Sequence, residues 1–120
     1  ILEPFYPKEW VDSTYEINWE DWKEKGKKGV IFDIDNTLVP HGAPADERAL
    51  LLFRRLHGLG FQTLLLSNNK EPRVKSFAEQ VHSPYIYKLE NRVLGDIFFQ
   101  LRLDCPEIFY AVGFQYRFYP

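Results

Sequence analysis

Four short apolar runs punctuate the chain, at residues 29–35, 62–66, 85–87 and 108–112. They are not polar at alternate positions, as the strands of a half-exposed sheet would be. An uninterrupted apolar run of this length is typical of a strand that is buried on both faces of a parallel sheet. The pattern therefore predicts four strands in a parallel arrangement.

Segments with helical spacing lie between these runs. A short helix is predicted from Asn18, a good N-cap, to Gly26. Residues 46–59 carry apolar side chains on one side of a helical wheel, and a further helix begins near Pro72. Residues 95–103 favour a helix before the fourth run. The alternation of strands and helices predicts an α/β fold, a three-layer Rossmann-like parallel sheet.

Composition limits the classes of protein that fit. The chain has 120 residues, 27% of them charged, and a net charge of −2, which suits one domain and argues against a nucleic-acid-binding surface. Its single cysteine, Cys105, excludes an internal disulfide and fits a reducing compartment. No apolar stretch is long enough for a transmembrane helix, and the first residues lack a secretory signal. We therefore expect a cytoplasmic location.

We expect residues 1–120 to form that single domain. Residues 1–28 are predicted to form an N-terminal arm and a short helix. Residues 29–88 form the core with the polar motifs, and residues 89–120 form an irregular C-terminal segment.

Two carboxylates stand at the end of the first apolar run, where residues 33–39 read DIDNTLV. Burying Asp33 and Asp35 there is costly without a counter-charge. Taken alone, the pair also suits a capped turn that satisfies local backbone groups. A calcium loop is excluded, because the EF-hand template requires glycine at Leu38 and glutamate at Pro44.

A second polar cluster, residues 67–69 with the sequence SNN, follows the second apolar run. Taken alone, it is a polar turn after a strand. In open parallel sheets, however, ligands bind beyond the carboxyl ends of the strands. We therefore expect Ser67 and Asp33 to lie together at one edge of the sheet.

The apolar residues before Asp33, followed by DIDNTLV, resemble the signature of the haloacid dehalogenase (HAD) superfamily. This resemblance implies that Asp33 is a nucleophile that becomes a phosphoaspartate, and that Asp35 is the general acid and base. It implies that Ser67 and the backbone N–H of Asn68 bind the phosphoryl group. It also implies Mg²⁺, held by the Asp33 carboxylate and the Asp35 backbone carbonyl.

The resemblance narrows to the YqeG family, on the strings KGVIFDIDNTLVP at 28–40 and SNNK at 67–70. That family is capless, subfamily IIIA-like, and related to phosphatidylglycerophosphate phosphatases. It implies a HAD-like core with no large cap domain and an open site. The expected partner is a phosphorylated small molecule or a lipid head group, with phosphatidylglycerophosphate as one candidate. Peripheral contact with a membrane stays open, as does the oligomeric state.

The chain departs from the family pattern after residue 88. A Lys-Pro element is absent, so Lys88 is the predicted phosphate-binding cation, with Arg92 as an alternative. Phe114 stands where the family has a magnesium-binding aspartate after Gly113, and a phenyl ring cannot bind a hard cation. Asp96 is the alternative metal ligand, beside Asp33 and Asp35. The C-terminal third is therefore predicted to be atypical, shortened or out of frame.

Two functions remain open on this evidence. The first is a Mg²⁺-dependent phosphomonoester hydrolase that acts through a phosphoaspartate. The alternative is a catalytically defective or truncated HAD-like protein with a binding role or none. A receiver-like phosphoryl switch is disfavoured, because its paired acids are usually contiguous, whereas Ile34 separates Asp33 from Asp35.

Overall fold

The computed structural model describes residues 9–10, 14–35, 37–88, 90, 92–93, 96, 100, 108–112 and 117–119. In this part of the chain the strands are β1 (Glu9–Trp10), β2 (Gly29–Asp33), β3 (Gln62–Leu66), β4 (Tyr85–Ile86), β5 (Ile108–Val112) and β6 (Arg117–Tyr119). The helices whose bounds lie within the described residues are α1 (Trp19–Glu24), α2 (Glu47–Gly58) and α3 (Glu71–Val81), and a 3-10 turn spans Thr14–Glu16. Residues 92, 93, 96 and 100 are also helical.

All the strands join one sheet in the order β1-β6-β5-β2-β3-β4. β2 pairs in parallel with both β3 and β5, and β3 pairs in parallel with β4. The four apolar runs are thus the four parallel strands, which confirms the predicted α/β class and is compatible with a Rossmann-like fold. β6 pairs antiparallel with β5 and with β1, two edge pairings that the apolar pattern did not predict.

The core explains why the central strands lack alternation. Phe32 of β2 packs with Trp19 of α1 and Phe53 of α2, at ring-centroid distances of 5.9 and 5.3 Å, and Phe77 of α3 belongs to the same cluster. Successive side chains of a strand point to opposite faces. Ile31 therefore points away from this cluster, yet it too is buried. Both faces of β2 are covered, so apolar residues are favoured at every position.

Local signals place the helix ends near their predicted positions. Asn18 Oδ1 accepts a hydrogen bond from the Asp21 backbone N–H at the start of α1. Asp46 Oδ1 caps α2 in the same way, and Pro72 lies in the first turn of α3. The predicted helix 95–103 lies largely outside the described residues, so a third layer stays a prediction. No helix in the described portion is both long and apolar enough to span a bilayer.

Candidate functional site

The ends of the parallel strands bring two predicted polar segments to one edge of the sheet. In the register of β2 and β3, Asp33 lies opposite Leu66, and Ser67 follows Leu66 directly. The Ser67 backbone N–H donates to the carbonyl of Ile86 at the end of β4, with N and O 3.0 Å apart. Asp33 and Ser67 therefore share the carboxyl-terminal edge, as the sequence predicted.

The loop after β2 folds back so that Asp35 faces this edge. The Ile34 carbonyl accepts hydrogen bonds from the backbone N–H groups of Thr37 and Leu38, at 3.3 and 3.0 Å. The Tyr15 hydroxyl donates to the Leu38 carbonyl at 2.6 Å and fixes the loop against the 3-10 turn. Gly42, with φ of 80°, closes the loop by donating its backbone N–H to Asp35 Oδ1 at 2.8 Å. A side chain at that φ would strain the backbone.

Asp35 is the most heavily bonded carboxylate at this edge. Its Oδ1 accepts a second hydrogen bond from Arg73 Nη2 at 2.9 Å, and the two side chains are only 10% and 17% exposed. The Asn69 amide nitrogen lies 3.5 Å from Asp35 Oδ2. Asp35 is thus a partly buried, paired anion held by groups from two loops and α3.

The two carboxyl groups have pKa values that move in opposite directions. Burial, and then the negative charge of Asp35, raise the pKa of Asp33 from 3.8 to about 6, against a hydrogen bond from the Ile34 backbone. Burial alone would raise the pKa of Asp35 as well, but the hydrogen bonds from Gly42, Arg73 and Asn69 and the charge of Arg73 lower it overall. In the ligand-free protein, Asp33 is the carboxyl that more readily keeps a proton.

The cluster after β3 is ordered by its own side chains. Ser67 is fully buried, and its Oγ accepts a hydrogen bond from the Asn69 backbone N–H at 3.0 Å. The carbonyl of Asn69 accepts from the Lys88 backbone N–H at 2.8 Å. The Lys88 and Asn68 side chains are exposed. The backbone of Lys88 thus lies at the predicted edge.

The predicted third carboxylate does not join the other two. No group of three or more His, Cys, Asp or Glu side chains in the described ranges could hold a metal ion. Asp96, which is described and exposed, therefore does not complete such a group with Asp33 and Asp35. Arg92 is also exposed. Gly113 and Phe114 lie outside the described residues.

Sequence reasoning assigned no role to Arg73 or Asn69, the two side chains that contact Asp35. One signal was available for Arg73. It lies in the first turn of α3, where the helix dipole disfavours a cation. A basic residue there, shortly after a polar strand end, indicates an anion close by.

Comparison with known proteins gives one informative similarity. The chain is 41% identical over 85 residues to "Probable phosphatase YqeG" of Bacillus subtilis (strain 168). The aligned part is 70% of this chain and 49% of that protein, so the chain spans about half the length of the relative. No family model matches the chain. No solved structure matches it either.

Proposed function

We propose that the chain is a phosphomonoester hydrolase of the HAD type, related to YqeG, that forms a phosphoaspartate on Asp33. The observation that carries this proposal is the shared edge of Asp33, Asp35 and Ser67 at the ends of parallel strands. The similarity over 85 residues to a probable phosphatase supports it.

In the proposed reaction, a carboxylate oxygen of Asp33 attacks phosphorus while the bond to the ester oxygen breaks. The ester oxygen keeps the bonding electron pair and takes a proton from Asp35. Water then attacks the phosphoaspartate and gives a proton to Asp35, and the electron pair of the broken bond returns to Asp33. The products are an alcohol and inorganic phosphate. Ser67, Asn68 and Lys88 are the proposed phosphate-binding residues.

The donor chemistry at this edge suits Mg²⁺. The Asp33 carboxylate and the Asp35 backbone carbonyl are hard oxygen donors, and Mg²⁺ is usually held by one or two carboxylates, several waters and substrate phosphate oxygens. Burial, and then the negative charge of Asp35, raise the pKa of Asp33, and a cation would offset that charge. When bound, the ion would favour ionised Asp33 and polarise the phosphoryl group.

The ligand-free state orders the two carboxyl groups in the opposite sense from the one that the reaction needs. Asp33 must be ionised to attack phosphorus, and Asp35 must carry the proton for the leaving oxygen. The pKa directions give Asp33 the higher affinity for a proton and keep Asp35 charged, and Asp33, with a pKa of about 6, is itself mostly ionised at neutral pH. We infer that formation of the complex raises the proton affinity of Asp35 above that of Asp33.

The proposed substrate is a phosphorylated small molecule or a lipid head group, with phosphatidylglycerophosphate as the lipid to test. We propose that the protein is cytoplasmic and that it binds a lipid substrate while peripherally attached to the membrane surface.

Hydrolysis of p-nitrophenyl phosphate, with Mg²⁺ and with EDTA, tests the proposal. We expect metal-dependent turnover that Asp33→Asn abolishes and that Asp35→Asn lowers by about 10²–10⁴-fold. Asp21→Asn is the matched control, because it removes an α1 carboxylate that forms an exposed ion pair with Lys25. Phosphatidylglycerophosphate in mixed micelles, with its deacylated head group alongside, then separates a lipid substrate from a soluble one.

A second reading is a protein with a defective site, and it is favoured because the described residues bring no third carboxylate to Asp33 and Asp35. A defective site predicts no turnover, even when cooperative unfolding shows that the protein is folded. Turnover that survives Asp33→Asn would contradict the phosphoaspartate mechanism.

A further inference from the structure

The two oxygens of the Asp35 carboxylate have different environments. Oδ1 accepts two short hydrogen bonds, from the Gly42 N–H at 2.8 Å and from Arg73 Nη2 at 2.9 Å. The contact of Oδ2 with the Asn69 amide is 3.5 Å long, which is the outer limit for a hydrogen bond. Oδ1 is therefore tied into the protein, and Oδ2 is the more weakly held oxygen.

The position of Arg73 is itself restrained. Its guanidinium carbon lies 5.6 Å from the centre of the Phe77 ring, and Phe77 is buried in the core. The side chain starts from the first turn of α3. Because the helix, the ring and Asp35 each limit its rotamers, Arg73 offers Asp35 a donor in a fixed direction.

Stability alone gives little reason for this ion pair. Removing two charges from water costs several kcal/mol per ion, and apolar residues of similar volume often serve equally well. The cation also lies at the unfavourable end of the α3 dipole. A role in orienting the carboxylate accounts for both features.

We propose that Arg73 is a positioning residue of the proposed hydrolysis, on which this inference rests: together with the Gly42 amide it holds Oδ1 of Asp35 and leaves Oδ2 to exchange the proton. Oδ2 gives the proton to the ester oxygen as the phosphorus–oxygen bond breaks. It takes a proton from water as the phosphoaspartate is hydrolysed. Arg73 acts through Asp35 and does not contact the substrate.

Steady-state kinetics of Arg73→Gln and Arg73→Lys, with p-nitrophenyl phosphate and Mg²⁺, test this role. Misorientation of a reacting group costs about 10²-fold, so we expect that fall in kcat for Arg73→Gln, with KM changed by less than about twofold. Lysine can still donate to Oδ1 but lacks the planar guanidinium group. The kcat of Arg73→Lys should therefore lie between those of the wild type and Arg73→Gln. Arg54→Gln, which changes an exposed arginine of α2, is the matched control.

An unchanged kcat in Arg73→Gln would overturn the proposal. So would a rise in KM at constant kcat, because that result would assign Arg73 to substrate binding. The same follows if the lysine variant is no more active than the glutamine variant.

A double-mutant cycle in urea separates this inference from the proposed function. If Arg73 holds Asp35 in solution, the midpoint shifts of Arg73→Gln and Asp35→Asn will not add in the double variant. Additive shifts would refute the pairing even in an active enzyme. Absence of hydrolysis by the wild-type protein would refute the proposed function and the catalytic role of Arg73 with it, while the cycle would still report whether the pair forms. Arg73→Met, which also lacks a donor to Asp35, serves in the cycle if the glutamine variant does not fold.

Discussion

Replacing Asp33 with asparagine should stabilise the metal-free protein, although it removes the proposed nucleophile. At neutral pH the folded chain must ionise a carboxyl group whose pKa lies at about 6 instead of 3.8. A pKa difference of this size corresponds to about 3 kcal/mol of lost stability. Asparagine buries no charge, but its amide needs hydrogen-bond partners, which offsets part of the benefit. We therefore expect the free energy of unfolding to rise by about 1–3 kcal/mol at neutral pH.

The gain should depend on pH in one direction. Between about pH 4 and about pH 6 the unfolded chain has released the Asp33 proton while the folded chain keeps it. The folded state then binds more protons, so wild-type stability falls as pH rises through this range and levels off above it. Asp33→Asn lacks this fall, and the two proteins should converge near the acid end of the range.

Urea unfolding from pH 4 to pH 8 in EDTA, followed by tryptophan fluorescence, measures this difference. Trp19 is fully buried and reports on the core. Asp21→Asn, in an exposed pair, should change stability by less than about 0.5 kcal/mol at every pH. Added Mg²⁺ should raise the wild-type midpoint and leave that of Asp33→Asn unchanged. A folded variant that is no more stable than wild type at neutral pH, or a gap that does not vary with pH, would refute the reasoning.

Three further substitutions and one control test the fold by the same urea assay. Tyr15→Phe should cost about 1 kcal/mol, because it removes the hydrogen bond to the Leu38 carbonyl. Burial raises the pKa of Tyr15. The stability that its neutral hydroxyl contributes is therefore complete below about pH 10 and declines above it, and the phenylalanine variant lacks this pH dependence. Leu56→Ala should cost about 2–5 kcal/mol because Leu56 is fully buried, whereas the exposed Leu51→Ala should cost less than about 0.5 kcal/mol. Asp46→Ala should cost about 1 kcal/mol through the lost α2 cap, and an unchanged midpoint would contradict that cap.

The central part of the fold was predictable because it depends on short-range patterns. β2 is buried on both faces from Gly29 to Phe32, and β3 is buried except at exposed Gln62 and half-buried Leu64, so neither run alternates strictly. Asn18 and Asp46 cap helices through hydrogen bonds three residues away. The pairing of β1 with β6 was not predictable in this way. β1 has two residues and β6 has three, which is too short for a periodic pattern.

The site, too, has a part that short-range patterns predict and a part that they do not. Asp33 and Ser67 follow strands whose parallel register could be anticipated, so their shared edge was expected. The contact between Asp35 and Arg73 joins residues 38 positions apart, and neither a strand nor a helix period links them. The sequence signal for this contact was the positive charge of Arg73 in the first turn of α3, where the helix dipole disfavours a cation.

The charge states show most clearly what the sequence leaves undetermined. Asp33 and Asp35 have the same side chain and are separated by Ile34 alone, so the motif cannot distinguish their acidities. Tertiary contacts do: Gly42 and Arg73 favour charge on Asp35, and burial, together with that charge, raises the pKa of Asp33. Each neighbour that stabilises Asp35 as an anion therefore makes Asp33 a weaker acid. A cation or substrate that reverses this order must act on both groups together, because neither pKa is set independently of the other.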